Sequence, residues 1–78
     1  MKLNCDQDSP FHWALHFHRG LKILLDGEEV QFVVEADDKQ GYLIRHPVDV
    51  NDRLIVDGDL LRIERIEGRV EFVGERRV

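Results

Sequence analysis

The sequence contains few of the residues on which small catalytic or covalently stabilised domains depend. Its single cysteine, Cys5, excludes an internal disulfide. It also argues against a thiolate zinc site, because structural zinc takes several cysteines or histidines at short spacing. Ser9, the only serine, precedes a proline, and there is no threonine to act as a nucleophile. The six glycines are scattered singly, so a glycine-rich phosphate loop is excluded. We therefore expect no enzyme and no cofactor.

Long apolar runs and an excess of basic charge are also absent. No apolar run exceeds four residues, so no segment is long enough to span a bilayer. Residues 1–6 turn polar at once and lack a signal-peptide core, which predicts a cytoplasmic protein with no membrane partner. The formal net charge of −5 argues against direct nucleic-acid binding, which needs a clustered basic face. A content of 42% hydrophobic and 35% charged residues is typical of a folded domain.

Apolar alternation separated by turn residues predicts an all-β fold. A chain of 78 residues has room for one domain. We assign residues 1–10 to a polar N-terminal arm and residues 11–78 to a single small β domain. About six short antiparallel strands, with turns every eight to twelve residues or so, favour a small barrel or a compact sandwich.

Two turns and one strand end are predicted in detail. Residues 26–29 separate two β-forming runs and suit a turn looser than the two-residue type. The strand at residues 42–44 must end or lie at a sheet edge, because Pro47 has no amide hydrogen to donate. Glu67 and Gly68 are expected to close a hairpin in which Ile63 lies opposite Phe72.

Residues 11–18 have two interpretations. The large apolar side chains fall on odd positions, which is the period of two expected for a half-buried strand. Ser9 and Pro10 could instead begin a short helix, with serine as the N-cap and proline at the first position. We favour the strand, and the helix stays open.

The same segment carries three histidines, His12, His16 and His18. On a strand they share one face, with alternate residues roughly 6–7 Å apart, close enough to share a metal ion. A helix would rotate His18 away from the other two. A histidine-based metal-binding module is therefore an alternative function, although our main expectation is no metal.

Charge is divided between two parts of the chain. Positions 26–38 hold six acidic residues and no basic one, whereas arginines concentrate after position 61. Opposite charges at two ends would allow copies to dock head to tail. The candidate protein-binding residues are therefore Glu28, Glu29, Asp37, Asp38, Arg65, Arg69, Arg76 and Arg77.

Residues 46–66 resemble the barrel of small head–tail joining (connector or adaptor) proteins of tailed bacteriophages. In that family an Asp-Arg-ϕ-x-ϕ-x-Gly strand and turn, where ϕ is apolar, leads into an alternating strand. The matching residues here are Asp52, Arg53, Leu54, Val56, Gly58, Leu61, Ile63 and Ile66. Residues 25–30 and 35–42 are similar to short phage proteins encoded near head genes. The two resemblances cover residues 25–73, and the chain lacks the helical N-terminal part of the joining proteins.

The resemblance implies a phage or prophage structural protein that assembles by protein–protein binding, with the head–tail junction as its place. Its partners would be further copies of the chain or other virion proteins, first in the bacterial cytoplasm and then in the particle. A small acidic inhibitor or regulator of a host protein is the alternative from another class. Oligomeric state separates the two, because an inhibitor stays small until it meets its target.

Overall fold

Nine strands and one turn of 3₁₀ helix make up the fold of residues 1–77, the part of the chain that this computed structural model describes. The 3₁₀ helix spans Trp13–Leu15. The strands are β1 (Lys2–Asn4), β2 (Lys22–Leu25), β3 (Glu28–Val30), β4 (Val33–Asp37), β5 (Tyr42–Arg45), β6 (Val56–Asp57), β7 (Leu60–Leu61), β8 (Glu64–Glu67) and β9 (Val70–Val73). They form three antiparallel sheets, so the all-β prediction is confirmed. The strands of residues 1–77 do not close into a barrel. Val78, the last residue of the predicted domain, lies outside the described residues.

The largest sheet has four strands in the order β1-β4-β5-β8. One of its two inner strands is β5, the predicted apolar strand, which ends before Pro47 as expected. Leu43 lies opposite Ala36 on one side and Ile66 on the other. Leu43 and Ala36 are fully buried, and they form the core together with Val70 from the second sheet. The core therefore sits between the two larger sheets.

The second sheet has the order β3-β2-β9. Its hairpin β2–β3 turns at Asp26 and Gly27, whose φ angles are 52° and 89°. Positive φ at both central residues is typical of the tight two-residue turn that an Asp-Gly sequence favours. The prediction of a looser four-residue turn was therefore wrong, because Glu28 already pairs with Leu25.

Strands β8 and β9 do not form the predicted hairpin. β8 pairs with β5 and β9 pairs with β2, so the chain passes from one sheet to the other at Gly68. The Gly68 N–H donates to the Gly41 carbonyl at 3.0 Å, and a Cβ on Gly68 would lie 2.9 Å from Leu25 Cδ1. The predicted pairing of Ile63 with Phe72 is wrong, because Phe72 lies opposite Ile23.

The favoured strand at residues 11–18 is also wrong. The Ser9 hydroxyl accepts the Phe11 N–H and the His12 ring accepts the Ala14 N–H, and these contacts bend the chain into the 3₁₀ turn. A single helical turn is nearer to the alternative than to the strand. Phe17, after the turn, is buried with its ring 6.1 Å from that of Phe72.

The segment predicted as a polar N-terminal arm contributes a strand to the main sheet. β1 pairs with β4, and Leu3 lies opposite Ala36 with only 2% of its surface exposed. One well-placed leucine gives this short segment its apolar anchor, which the polar residues around it obscure in the sequence. None of the helical structure in residues 1–77 is long and apolar enough to cross a membrane.

Candidate protein-binding surface

Residues 48–63, here called the arm, extend from the two larger sheets as a loop and a small hairpin. A bridge between Val48 and Leu54 closes the base of the arm, and β6 pairs only with β7. The Asp49 carboxylate accepts the N–H groups of Asn51 and Arg53 at 2.8 and 3.1 Å and so shapes the loop. No residue of the arm is buried.

The hairpin of the arm carries apolar side chains on its surface. Val56 lies opposite Leu61, so the two share one face, and alternation places Ile63 on that side as well. Their exposed fractions are 58%, 43% and 64%. Leu60, on the opposite face beside the turn, is 75% exposed, and Val50 in the loop is 99% exposed. Single exposed apolar residues are ordinary, whereas a concentration of them in one segment makes that segment a candidate interaction surface.

The molecule is more extended than its length requires. Its radius of gyration is 12.8 Å, against about 11.5 Å for a typical domain of this length. Its accessible surface is 5762 Å², against about 4,900 Å² for a typical monomer of this mass. An arm that extends from the sheets accounts for both differences.

One ion pair joins the two strands of the hairpin. The Arg62 guanidinium donates from Nε and Nη2 to the two oxygens of Asp57, each at 2.9 Å. These hydrogen bonds lower the pKa of Asp57 and raise that of Arg62. Both side chains are about half exposed, so water screens the pair and its contribution to stability is small. The Arg62 N–H also donates to the Ile55 carbonyl at 2.8 Å, which extends the ladder by one pair.

A groove lies on the same molecule between β3, the start of β4 and the end of β1. Its volume is about 300 Å³, at the lower limit of ligand-sized pockets. Apolar lining comes from residues that include Leu3, Trp13, Val30 and Phe32, and the charged lining residues are Lys22, Glu29 and Glu35. A second recess of about 440 Å³ shares Phe32 with the groove and is bounded by Val48 and Asp52 of the arm.

The acidic candidates from the sequence divide into two pairs. Glu28 and Glu29 are exposed on β3, as a binding role requires. Asp37 is buried at 7% exposure, and its carboxylate accepts the N–H groups of Lys39 and Gln40 at the β4–β5 turn. These backbone donors, the Gln40 N–H foremost, lower the pKa of Asp37. Asp38 accepts from the Met1 amino group at 2.6 Å. The second pair therefore has structural contacts within the chain.

Three of the four candidate arginines have side-chain contacts within the chain. Arg65 donates to Glu67 at 2.6 Å and its guanidinium lies 4.6 Å from the centre of the Tyr42 ring. Arg69 pairs with Glu71 at 3.1 Å. Arg76 lies over the Phe17 ring at 5.5 Å. Arg77 is exposed, and its N–H donates to the His16 carbonyl, which places the last arginines beside residues 16–18.

The three histidines do not converge on a common point. The His12 ring accepts the Ala14 N–H at 3.3 Å, and His16 Nε2 lies 3.3 Å from the Pro10 carbonyl. His18 belongs to the link before β2, where its own N–H donates to the Glu75 carbonyl. Within residues 1–77, no group of three or more histidine, cysteine, aspartate or glutamate side chains is placed to hold a metal ion.

The arm and the groove were both missed by the sequence analysis. The predicted hairpin at Glu67 and Gly68 placed Ile63 in a paired strand, although Leu60, Leu61 and Ile63 put three apolar residues in four positions, more than one face of a strand accommodates. That excess was the available signal. The groove left no such signal, because its lining comes from segments that are distant in sequence.

The exposed arm and the apolar groove are the two features that point to a partner. Comparisons with protein-family models, with curated proteins and with solved structures found no match to the chain.

Proposed function

We propose that this chain is a phage- or prophage-encoded assembly protein that acts by protein–protein binding, with the head–tail junction as its place. Two features support the proposal. The first is the resemblance of residues 46–66 to head–tail joining proteins, and the second is the exposed apolar arm. The chain would be made in the bacterial cytoplasm and incorporated into the particle by binding copies of itself or other virion proteins.

The observation that carries the proposal is the apolar face of the arm. Burying an aliphatic side chain that was fully exposed contributes about 1.5–3 kcal/mol. Ile63 is already about one-third covered, so its burial in a complex would contribute about 1–2 kcal/mol. Three such side chains on one hairpin face are enough to form the centre of an interface. An isolated two-stranded hairpin is also marginally stable in water, so a covering partner would order it.

The residues of the resemblance explain the shape of the arm. Asp52 has a φ of 60° in the loop, and Gly58 has a φ of 65° at the hairpin turn. Both values lie in the left-handed region, which aspartate and glycine tolerate better than most residues. The turn residues of the pattern thus place its apolar members Val56, Leu61 and Ile63 on the surface. A motif that shapes an exposed hairpin is consistent with a binding role.

The test is the molar mass of the protein in solution, measured by size-exclusion chromatography with light scattering over a wide range of protein concentration. We expect mass above the 9.2 kDa monomer at high concentration. Ile63→Ser should weaken association about tenfold, since about 1.4 kcal/mol corresponds to that factor. Leu15→Ser is the matched control, because Leu15 is 60% exposed and lies outside the arm.

Equal association of the Ile63→Ser and parent proteins would contradict the role of the arm. A monomer at every concentration would contradict self-assembly and favour the alternative, a small acidic protein that binds a host protein. Glu28 and Glu29 give that alternative its surface, since both are exposed and neither forms an ion pair within residues 1–77. Double replacement by glutamine would then abolish capture of the host protein.

A further inference from the structure

The outer edge of β3 carries backbone groups that no strand of residues 1–77 pairs with. Just past β2, Asp26 donates its N–H to the Arg69 carbonyl at 2.9 Å. Alternation along β2 then turns the backbone groups of Leu25 toward β3 and those of Leu24 toward β9. Because Glu29 lies opposite Leu24, its N–H and C=O point away from β2. An added strand would bond to these two groups.

The chain bends immediately after this edge and leaves it accessible. Gln31 and Phe32 join β3 to β4, which belongs to the larger sheet. Phe32 has a φ of 60°, a left-handed value that aromatic residues rarely adopt and that asparagine tolerates. Its carbonyl accepts the His46 N–H at 3.0 Å, so β4 pairs with β5 directly beyond the bend. Glu28, Glu29 and Gln31 are exposed, so an extended segment can reach β3.

Two recesses lie beside the same piece of backbone. Residues 29–32 line both the apolar groove and the second recess. The groove adds the ring of Trp13, and the second recess adds His46. An extended strand directs alternate side chains to opposite faces. A partner strand on β3 therefore has space for its side chains beside residues 29–32.

The unpaired charges around this edge are mostly negative. Glu28, Glu29 and Asp52 form no ion pair within residues 1–77. Glu28 and Glu29 belong to β3 itself, and Asp52 lines the second recess. Among the described residues that line the two recesses, Lys22 is the one lysine or arginine without an ion pair. The excess of carboxylates favours a basic partner.

The other charged residues of the two recesses already have partners of opposite sign. Glu35 lies 3.7 Å from Lys2, and Arg45 lies 3.8 Å from Glu64. These pairs leave Glu29 as the unpaired carboxylate that lines both recesses.

The charge of β3 also excludes a second β3 as its partner. Antiparallel pairing of two such strands would bring Glu28 and Glu29 of each copy together, and like charges directly opposite each other are destabilising. A basic residue opposite Glu29 would share its face of the sheet and contact the carboxylate. The neighbours of that basic residue would point to the other face, where Val30 lies, and are best matched by apolar side chains.

We propose that the outer edge of β3 binds an extended segment of a partner protein in which a lysine or arginine lies between two apolar residues. The segment adds a fourth strand to the β3-β2-β9 sheet and bonds to the N–H and C=O of Glu29. The site uses none of the apolar residues of the arm, so it goes beyond the proposed function. Because Glu28 and Glu29 are exposed, binding should weaken as salt screens them.

The probe is the peptide Ser-Thr-Val-Lys-Val-Thr-Ser, acetylated and amidated at its ends. One control peptide has glutamate in place of the lysine. A second control is methylated at the backbone nitrogen of the lysine, which removes the donor to the Glu29 carbonyl. Binding is followed by the fluorescence of Trp13, the only tryptophan, which lines the groove. Hydrogen exchange of the Glu29 amide reports strand pairing directly.

The lysine peptide should shift the fluorescence of Trp13 and slow the exchange of the Glu29 amide. Both control peptides should bind at least about fivefold more weakly, since one loses an ion pair and the other a hydrogen bond. Glu29→Gln should weaken binding of the lysine peptide about two- to fivefold. Asp59→Asn is the matched control and should bind like the parent, because Asp59 is an exposed carboxylate outside β3. Circular dichroism of both variants confirms that they are folded.

Three results would each overturn the site. Equal binding of the lysine and glutamate peptides would show that charge does not select the partner. Parent-like binding of the methylated peptide, or an unchanged Glu29 amide in the bound state, would show that no strand is added to β3. Absence of binding by the lysine peptide would remove the site altogether. The proposed function is tested separately, because Ile63→Ser alters the arm and leaves β3 intact.

Discussion

Tyr42, the first residue of β5, forms one hydrogen bond to a charged group on β4. Its hydroxyl donates to Glu35 Oε2 at 2.7 Å, and its side chain is 8% exposed. Lys2 lies 3.7 Å from the same carboxylate, so Glu35 keeps a partner when the hydroxyl is removed. Tyr42→Phe therefore removes one hydrogen bond with little change in packing.

A hydrogen bond to a charged group contributes about 1.5–3 kcal/mol. Glu35 is partly exposed and stays hydrated, so the lower end of this range applies. We therefore expect Tyr42→Phe to lower the free energy of unfolding by about 1.5 kcal/mol. In a domain of this size that cost lowers Tm by about 6–12 °C. The measurement is thermal unfolding at neutral pH, followed by circular dichroism.

The same contact changes how the phenol ionises. The hydrogen bond to Glu35, then burial and the negative charge of Glu35, raise the pKa of Tyr42 to about 12. In the unfolded chain the pKa is near 10. The folded state therefore holds the proton more tightly, and this contribution to stability is complete below about pH 10 and is lost as the pH rises toward 12.

Tyr42 is the only tyrosine, so the ultraviolet absorbance of tyrosinate reports this one group. We expect a titration midpoint near pH 12 in buffer and near 10 in concentrated urea. Glu35→Gln keeps a hydrogen-bond acceptor without the charge and should move the folded midpoint part of the way down. A folded midpoint near 10, or unchanged Tm in Tyr42→Phe, would refute the reasoning.

Three further substitutions test the packing and the strain. Leu43→Ala should lower the free energy of unfolding by about 2–5 kcal/mol, because the side chain is fully buried, whereas Leu60→Ala on the arm should change it by less than about 0.5 kcal/mol; urea unfolding compares the two. Gly68→Ala should destabilise by about 1 kcal/mol, because the new methyl group would crowd the Asp26 carboxylate, at 3.0 and 3.1 Å, which accepts the Arg69 N–H, whereas the Leu25 methyl carbon at 2.9 Å can move; an unchanged urea midpoint would show that the sheet crossing relaxes freely. Phe32→Asn should leave monomer stability within about 0.5 kcal/mol of the parent, since relief of backbone strain offsets the lost contacts of a half-exposed ring; a large loss in dilute protein would mean that the ring belongs to the core.

Local signals in the sequence predicted the elements better than their pairing. Alternation and turn residues indicated β5 and the β2–β3 hairpin, and both are present. The Glu67–Gly68 turn looks the same whether the next strand folds back on β8 or crosses to another sheet. The burial of Val70 against Ala36 and Leu43 favours the crossing of the chain to the second sheet. Both of these residues lie more than twenty positions from Val70 in the sequence. No local pattern contains this information.

The charged candidates show a related limit. The run of acidic residues predicted a binding face, but Asp37 serves the β4–β5 turn and only Glu28 and Glu29 stay fully available. Sequence shows where charge is, whereas burial and backbone donors determine which charges a partner can reach. The odd-numbered aromatic residues around Trp13 were misleading for a similar reason, because the backbone N–H groups that donate to the side chains of Ser9 and His12 outweigh a period of two over so short a segment.

Amide hydrogen exchange at two protein concentrations tests most directly whether the arm is the binding surface, because it locates the residues that a partner covers. We expect the amides of residues 55–62 to exchange rapidly in dilute protein and more slowly in concentrated protein. The Leu43 amide, in the centre of the main sheet, should be equally slow in both, and Ile63→Ser should remove the concentration dependence of the arm. The arm amides could instead exchange at the same rate in dilute and concentrated protein while the molar mass still rises with concentration. That result would show that the copies associate through another surface.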